Sequence, residues 1–142
     1  MKDFKVLIVD DEKDFLEMTI KRMQKKNIRC EGAESGEEAI EKIKKGKFDV
    51  VLLDVKMPGM DGVETLREIK LINPLIEVVM LTGHASVESG IDGMKLGAFD
   101  YLMKPIELDL LLEKLEDAYE KKFIHEEKII EAQIKRDSAR PS

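Results

Sequence analysis

Short, wholly apolar runs alternate along the chain with longer segments whose apolar residues recur every three or four positions. Phe4 to Val9 reads as a buried strand. Glu12 to Lys26 carries Leu16, Ile20 and Met23 at helical spacing. Ile28 to Ala33 is a weaker, mixed strand. Ser35-Gly36-Glu37-Glu38 is a capping box that opens a second helix, with Ala39, Ile40 and Ile43 inward and Gly46 at its end. Val50 to Leu53 is apolar on both faces. Pro58-Gly59 and Asp61-Gly62 mark a loop, from which Asp61 caps a helix carrying Val63, Leu66 and Ile69. Ile76 to Leu81 is a fourth strand, and Val87, Ile91 and Met94 mark a helix from Ser86 to Leu96. Phe99 to Met103 is the last strand, and a long helix starts after Pro105.

The order is strand then helix, five times over. Strands that are apolar on both faces and separated by helices imply a parallel sheet covered on both sides. Right-handed crossovers make this a doubly wound α/β sandwich. In such sheets the functional crevice lies beyond the carboxyl ends of the strands. The residues just after each strand are therefore the ones to inspect.

From Ile106 to Arg140 there is neither Gly nor Pro, which permits one helix of about 30 residues, about 45 Å long. A small domain is narrower than that. Leu108, Leu111, Leu112, Leu115 and Tyr119 can cover the sheet. Phe123, Ile130 and Ile134 continue a sparser stripe, broken by Glu126 and flanked by Ile129. The reading is a domain over residues 1–120 and a helical extension or linker over 121–142. The extension serves to form a homodimer or dock a partner, or else begins a linker. Ser138 to Ser142 are expected to be disordered.

Composition narrows the class. The chain has 142 residues, 43% hydrophobic and 38% charged, enough for one packed domain with a charged surface. No apolar run approaches the ~20 residues that span a bilayer, and the N-terminus lacks a signal-peptide pattern. The net charge of −6 disfavours direct contact with nucleic acid. The lone cysteine, Cys30, excludes an internal disulfide framework and reads as a small buried strand residue. These features point to a cytoplasmic protein.

Asp10, Asp11 and Glu12 follow the first strand, Asp54 the third, Thr82 and Gly83 the fourth, and Lys104 and Pro105 the fifth. Acids, a hydroxyl and an amine thus converge on one sheet edge. Clustered carboxylates repel unless a cation joins them. Hard oxygen ligands suit Mg²⁺. A carboxylate can also attack phosphorus and form an aspartyl phosphate, a transfer that asks for positioning and charge neutralisation.

The segments Val9-Asp10-Asp11-Glu12, Leu53 to Gly62, Leu81-Thr82-Gly83-His84-Ala85 and Gly97 to Pro105 together resemble the receiver domain of two-component response regulators, over residues 4 to about 120. The resemblance implies a flavodoxin-like fold with strand order 2-1-3-4-5. It implies that Asp54 accepts a phosphoryl group from a phosphohistidine on a sensor kinase or phosphotransfer protein. It implies that Asp10, Asp11, Asp54 and the carbonyl of Lys56 hold Mg²⁺, and that Lys104 pairs with the phosphoryl group. Thr82 and Tyr101 would act as the switch, and the Lys104-Pro105 bond would be cis. The face made by the fourth helix, fifth strand and fifth helix would present the result to a downstream protein.

Position adds two readings. Lys56 and His84, two residues beyond Asp54 and Thr82, would overlook the site and tune the lifetime of the phosphate; the alternative is two solvated side chains. Gly90 and Gly93 either keep the fourth helix marginal or allow close packing. Three other classes stay open: a phosphohydrolase with Asp54 as nucleophile, a flavin-binding domain, and an adaptor that is never phosphorylated. Lys56 stands where the first would need a second acid. Asp10-Asp11-Glu12 stand where the second would need a phosphate loop. The chain reads as a signalling module more than a metabolic enzyme.

Overall fold

The computed structural model describes residues 3–83 and 87–139. Five strands, β1 (Lys5–Val9), β2 (Arg29–Ala33), β3 (Val50–Leu53), β4 (Glu77–Thr82) and β5 (Asp100–Met103), form one parallel sheet in the order β2-β1-β3-β4-β5. Helices α1 (Lys13–Lys25), α2 (Gly36–Lys45), α3 (Gly62–Ile72), α4 (Val87–Lys95) and α5 (Leu108–Ala139) alternate with them. The expected fold class and strand order are both met.

Alternation along the strands divides the core. Leu7, Val9, Val51, Leu53, Val78 and Met80 meet Ala39, Ile43, Leu66 and Ile69 of α2 and α3 on one face. Val6, Ile8, Val50, Leu52, Val79 and Leu81 meet Leu16 and Met23 of α1 and Leu111, Leu115 and Ala118 of α5 on the other. Burying both faces is the reason β1, β3 and β4 carry almost no polar side chains.

The helix starts follow local chemistry. Ser35 Oγ accepts from Glu38 N–H at 3.1 Å, and Glu38 accepts from Glu34 N–H at 3.0 Å. Asp61 Oδ1 accepts from Glu64 N–H at 2.9 Å. Gly62 is obligatory for a steric reason: a Cβ there would lie 2.3 Å from the Asp54 carbonyl oxygen. That close approach folds the loop after β3 back over Asp54.

Helix α4 does not pack through the stripe that marks it, since Ile91 and Met94 are 49% and 48% exposed. Gly93 is the buried position, and a Cβ on it would meet Met80 Sδ at 2.5 Å. Of the two readings of these glycines, close packing describes Gly93. The end of the chain is also more ordered than expected. Helix α5 continues through Ser138 to Ala139, because no breaker intervenes before Pro141; residues 140–142 lie outside the described residues. Finally, Cys30 is only half-buried, because β2 is an edge strand.

Candidate functional site

The carboxyl ends of β2, β1 and β3, and those of β4 and β5, are joined by ladder bonds that run one residue past the strands. Asp54 N–H donates to the Val9 carbonyl at 2.9 Å, Asp10 N–H to Ala33 at 3.1 Å, and Lys104 N–H to Thr82 at 2.9 Å. Each chemical residue therefore inherits its position from the sheet. Asp10, Asp54 and Thr82 are buried, with 2%, 2% and 0% exposure. Buried acids at a strand end are costly and need compensation.

Asp10 is organised by two contacts. Its Oδ1 accepts from Glu12 N–H at 2.9 Å, and its Oδ2 accepts from Lys104 Nζ at 2.7 Å. Lys104 also reaches Glu12 Oε1 at 3.1 Å and sits over the Phe15 ring, 3.9 Å from its centroid. The Lys104-Pro105 bond is cis, as the resemblance implied. Asp54 is bonded by Thr82 and by Val55 N–H. Its Oδ1 is nevertheless a buried atom with no hydrogen-bond partner.

The electrostatics follow from this packing. Burial pushes the Asp54 carboxyl up to about 6, and Asp10 beside it pushes the same way; Thr82, Lys104 and Val55 N–H oppose them. Burial likewise raises Asp10 above the usual carboxylate range, against the opposing pull of Lys104 and Glu12 N–H. Burial works against the Lys104 charge, but Asp10 and Glu12 outweigh it and hold the ammonium above its ordinary value. An acidic site whose carboxyls resist ionisation is one that lacks positive charge.

One carboxylate oxygen each from Asp10, Glu12 and Asp54 lie within 4.8 Å of one another. Hard oxygen donors with an orphaned buried atom fit a small divalent cation such as Mg²⁺. The grouping differs from the expected set. Asp11 is exposed and stands outside it, while Glu12 is drawn in by Lys104. Lys56 is exposed on the loop two residues past Asp54. Tyr101, on β5, is half-buried against α4: a Cβ on Gly90 would lie 3.6 Å from its ring. His84 lies outside the described residues. The structure thus brings Asp10, Asp54, Thr82 and Lys104 together. It adds Glu12, whose place directly after the acid pair was its only signal, and Phe15, which sequence reasoning missed.

A doubly wound sheet with this acidic end and a lysine opposite defines the class of proteins. Known relatives define the family. The response regulator receiver domain model matches residues 6–116, so the chain belongs to the receiver domains of two-component response regulators. It is 40% identical over 113 residues to the transcriptional regulatory protein ZraR of Escherichia coli (strain K12), covering 80% of this chain and 26% of that protein. It is 34% identical over 104 residues to the DNA-binding transcriptional regulator NtrC of the same organism, covering 73% and 22%. The chain thus spans about a quarter of the length of these relatives. A CheY-like receiver domain from Methanospirillum hungatei JF-1 superposes with a TM-score of 0.83 at 31% identity, covering 87% of this chain and 99% of that one. A response regulator receiver domain protein from Clostridium thermocellum gives 0.81 at 34%, covering 85% and 98%. No helix among the described residues is long and apolar enough to cross a membrane.

Proposed function

We propose that this receiver accepts a phosphoryl group on Asp54, with Mg²⁺ present, from a phosphohistidine of a sensor kinase or phosphotransfer protein. The observation that carries this reading is the orphaned, buried Asp54 Oδ1 among Asp10, Glu12 and Lys104. An acceptor carboxylate needs one unencumbered oxygen, and most buried carboxylates do not have one.

The chain's residues divide the work. Asp54 supplies the attacking oxygen, and the new bond is an acyl phosphate as the phosphohistidine nitrogen leaves. Asp10 and Asp54, with Glu12 or Asp11 and the Lys56 carbonyl, would hold the cation. When bound, Mg²⁺ neutralises the acids and the charge on the transferred group. Lys104 already stands at the site with its ammonium tied to Asp10. It needs only a small displacement to pair with a phosphoryl oxygen.

Thr82 and Tyr101 convert this local event into a surface change. The Thr82 hydroxyl bonds Asp54 in this state; a phosphoryl oxygen is the stronger acceptor and draws it forward. Tyr101, half-buried against the Gly90 segment of α4, then turns into the space left behind. The face of α4, β5 and α5, with Ile91, Met94 and Met103 exposed on it, presents the result to a downstream protein. Phosphorylation biases an existing equilibrium between two arrangements. The chain is a signalling module, with no turnover beyond its own phosphorylation and dephosphorylation.

Incubation with acetyl phosphate and Mg²⁺, followed by intact mass measurement, tests the reading. One phosphoryl group is expected on the wild type and none on Asp54→Asn. An unmodified wild type, or equal modification of both, overturns it.

A further inference from the structure

Helix α5 leaves the domain at a clasp. Leu111, Leu115 and Ala118 are buried against the sheet, and Lys122 is the last buried residue of the helix. Its Nζ lies 2.8 Å from Asp49 Oδ1 and 2.9 Å from Glu126 Oε1. Asp49 Oδ2 accepts from Lys5 N–H at 2.8 Å, and Lys121 Nζ stands 3.6 Å from Glu77. These pairs tie the helix to the starts of β1, β3 and β4. The rotation of α5 about its own axis is therefore fixed where it leaves the body.

Beyond the clasp, every residue from Glu127 to Ala139 is exposed, including Ile129, Ile130 and Ile134. At about 100° per residue, Phe123, Ile130 and Ile134 fall on one stripe that continues from Tyr119. Tyr119 stacks on Phe4 with centroids 5.0 Å apart, so the stripe begins on the domain and runs out along the arm. A groove of about 530 Å³ lined by Asp3, Tyr119, Glu120, Phe123 and Ile124 lies at its head.

Charge is sorted about this stripe. Glu120, Glu127 and Glu131 flank it on one side, within about a quarter turn; Glu126, held by Lys122, and Asp137 fall on the other. Lys121, Lys128, Lys135 and Arg136 all fall on the opposite half of the helix. An apolar seam flanked by the acidic rim of Glu120, Glu127 and Glu131 asks for a partner whose apolar seam carries a basic rim.

A second copy of this chain does not supply one. A parallel, in-register pair sets Glu127 on Glu127 and Glu126 beside Glu131. An antiparallel pair sets the Glu120–Glu127–Glu131 rim against itself. The stripe alone suggests self-pairing, and its acidic rim opposes it.

We propose that the Phe123–Ile134 face of α5, with the groove at its head, docks a basic amphipathic helix of a partner protein. The surface lies at the opposite end of the sheet from Asp54, so the proposal stands whether or not Asp54 is phosphorylated.

The probe is a fluorescent synthetic peptide of leucine and lysine patterned as an amphipathic helix, added to the full chain and followed by anisotropy. Saturable one-to-one binding that weakens with salt is expected. Ile130→Ser, and separately the pair Glu127→Lys with Glu131→Lys, should each weaken it about tenfold or more. Glu41→Lys, on exposed α2, should leave it unchanged. Sedimentation of the wild type should give a monomer. Absence of binding, equal binding by both arm variants, or equal binding of a leucine–glutamate peptide overturns the proposal. So does a wild-type dimer that Ile130→Ser dissociates, which would assign the stripe to a second copy. Far-UV circular dichroism confirms that the variants keep their helix; if Ile130→Ser loses it, the charge-reversed pair decides.

Discussion

Lys104 places its ammonium 2.7 Å from Asp10 Oδ2, while Asp54 beside them keeps a buried Oδ1 that accepts no hydrogen bond. Lys104 thus compensates one buried acid and leaves the second short of positive charge. The site is strained electrostatically toward anything that brings a cation, and this has measurable consequences.

The first is a pH dependence of stability. Asp54, held at about 6 by burial and by Asp10, stays protonated in the folded chain at pH values where the unfolded chain has already released the proton. The folded state binds more protons in that window, so stability falls as pH rises from the ordinary carboxylate range through about 6. Asp10, also raised, acts in the same direction. Without metal, Asp54→Asn should therefore be more stable than the wild type at neutral pH, by about 1–3 kcal/mol. The gap should close near pH 4, where the unfolded carboxyl is itself half protonated. Urea titrations across this range check it; a less stable Asp54→Asn at neutral pH would contradict it.

Mg²⁺ should relieve the same strain. A ligand at ten times its dissociation constant stabilises the folded chain by about 1.4 kcal/mol. Thermal unfolding should show a saturable rise in Tm for the wild type and a much smaller one for Asp54→Asn. Equal shifts in both would place the cation elsewhere.

The two glycines of α4 should respond in opposite senses. In Gly93→Ala the new methyl meets Met80 Sδ at 2.5 Å, and Met80 is fully buried. The overpacking cost of about 1–3 kcal/mol exceeds the gain in helix propensity of about 1 kcal/mol. In Gly90→Ala the methyl lies 3.6 Å from the Tyr101 ring, an ordinary contact, so the helix gains about 0.5–1 kcal/mol. Chemical denaturation of the two variants decides this, and destabilisation by both would show that α4 tolerates no methyl on its packed face.

The clasp at Lys122 should behave as a coupled pair. Lys122→Met removes the charge and leaves Asp49 Oδ1 without its ammonium partner, a loss of about 1–3 kcal/mol given that both are partly buried. Asp49→Asn in the same chain should recover part of it. A double-mutant cycle on stability, with hydrogen exchange over residues 119–126, reads the coupling. Additive effects would show that the two side chains do not interact in solution.

Much of this was written in the sequence because local rules and the global fold agree. Strands apolar on both faces gave the parallel sheet, and Ser35 and Asp61 marked helix starts that their own hydrogen bonds explain. Asp10, Asp54, Thr82 and Lys104 were legible because a doubly wound sheet gathers whatever follows its strands. What stayed hidden depends on distant partners. Whether Glu12 or Asp11 turns toward the site is decided by Lys104, 92 positions away. Periodicity counts Lys122 as a surface residue, whereas Asp49, 73 positions earlier, gives it a buried partner. The packed face of α4 was not legible from periodicity because a glycine contributes nothing to an apolar pattern, yet the missing side chain of Gly93 is what lets the helix approach Met80.

The most direct test of the central claim is chemical trapping of the phosphorylated residue. Borohydride reduction after treatment with acetyl phosphate and Mg²⁺ converts an aspartyl phosphate to homoserine, which peptide mapping locates. The account predicts homoserine at position 54 in the wild type and nowhere in Asp54→Asn. Homoserine at another aspartate, or none in a chain that has gained a phosphoryl group, would contradict it.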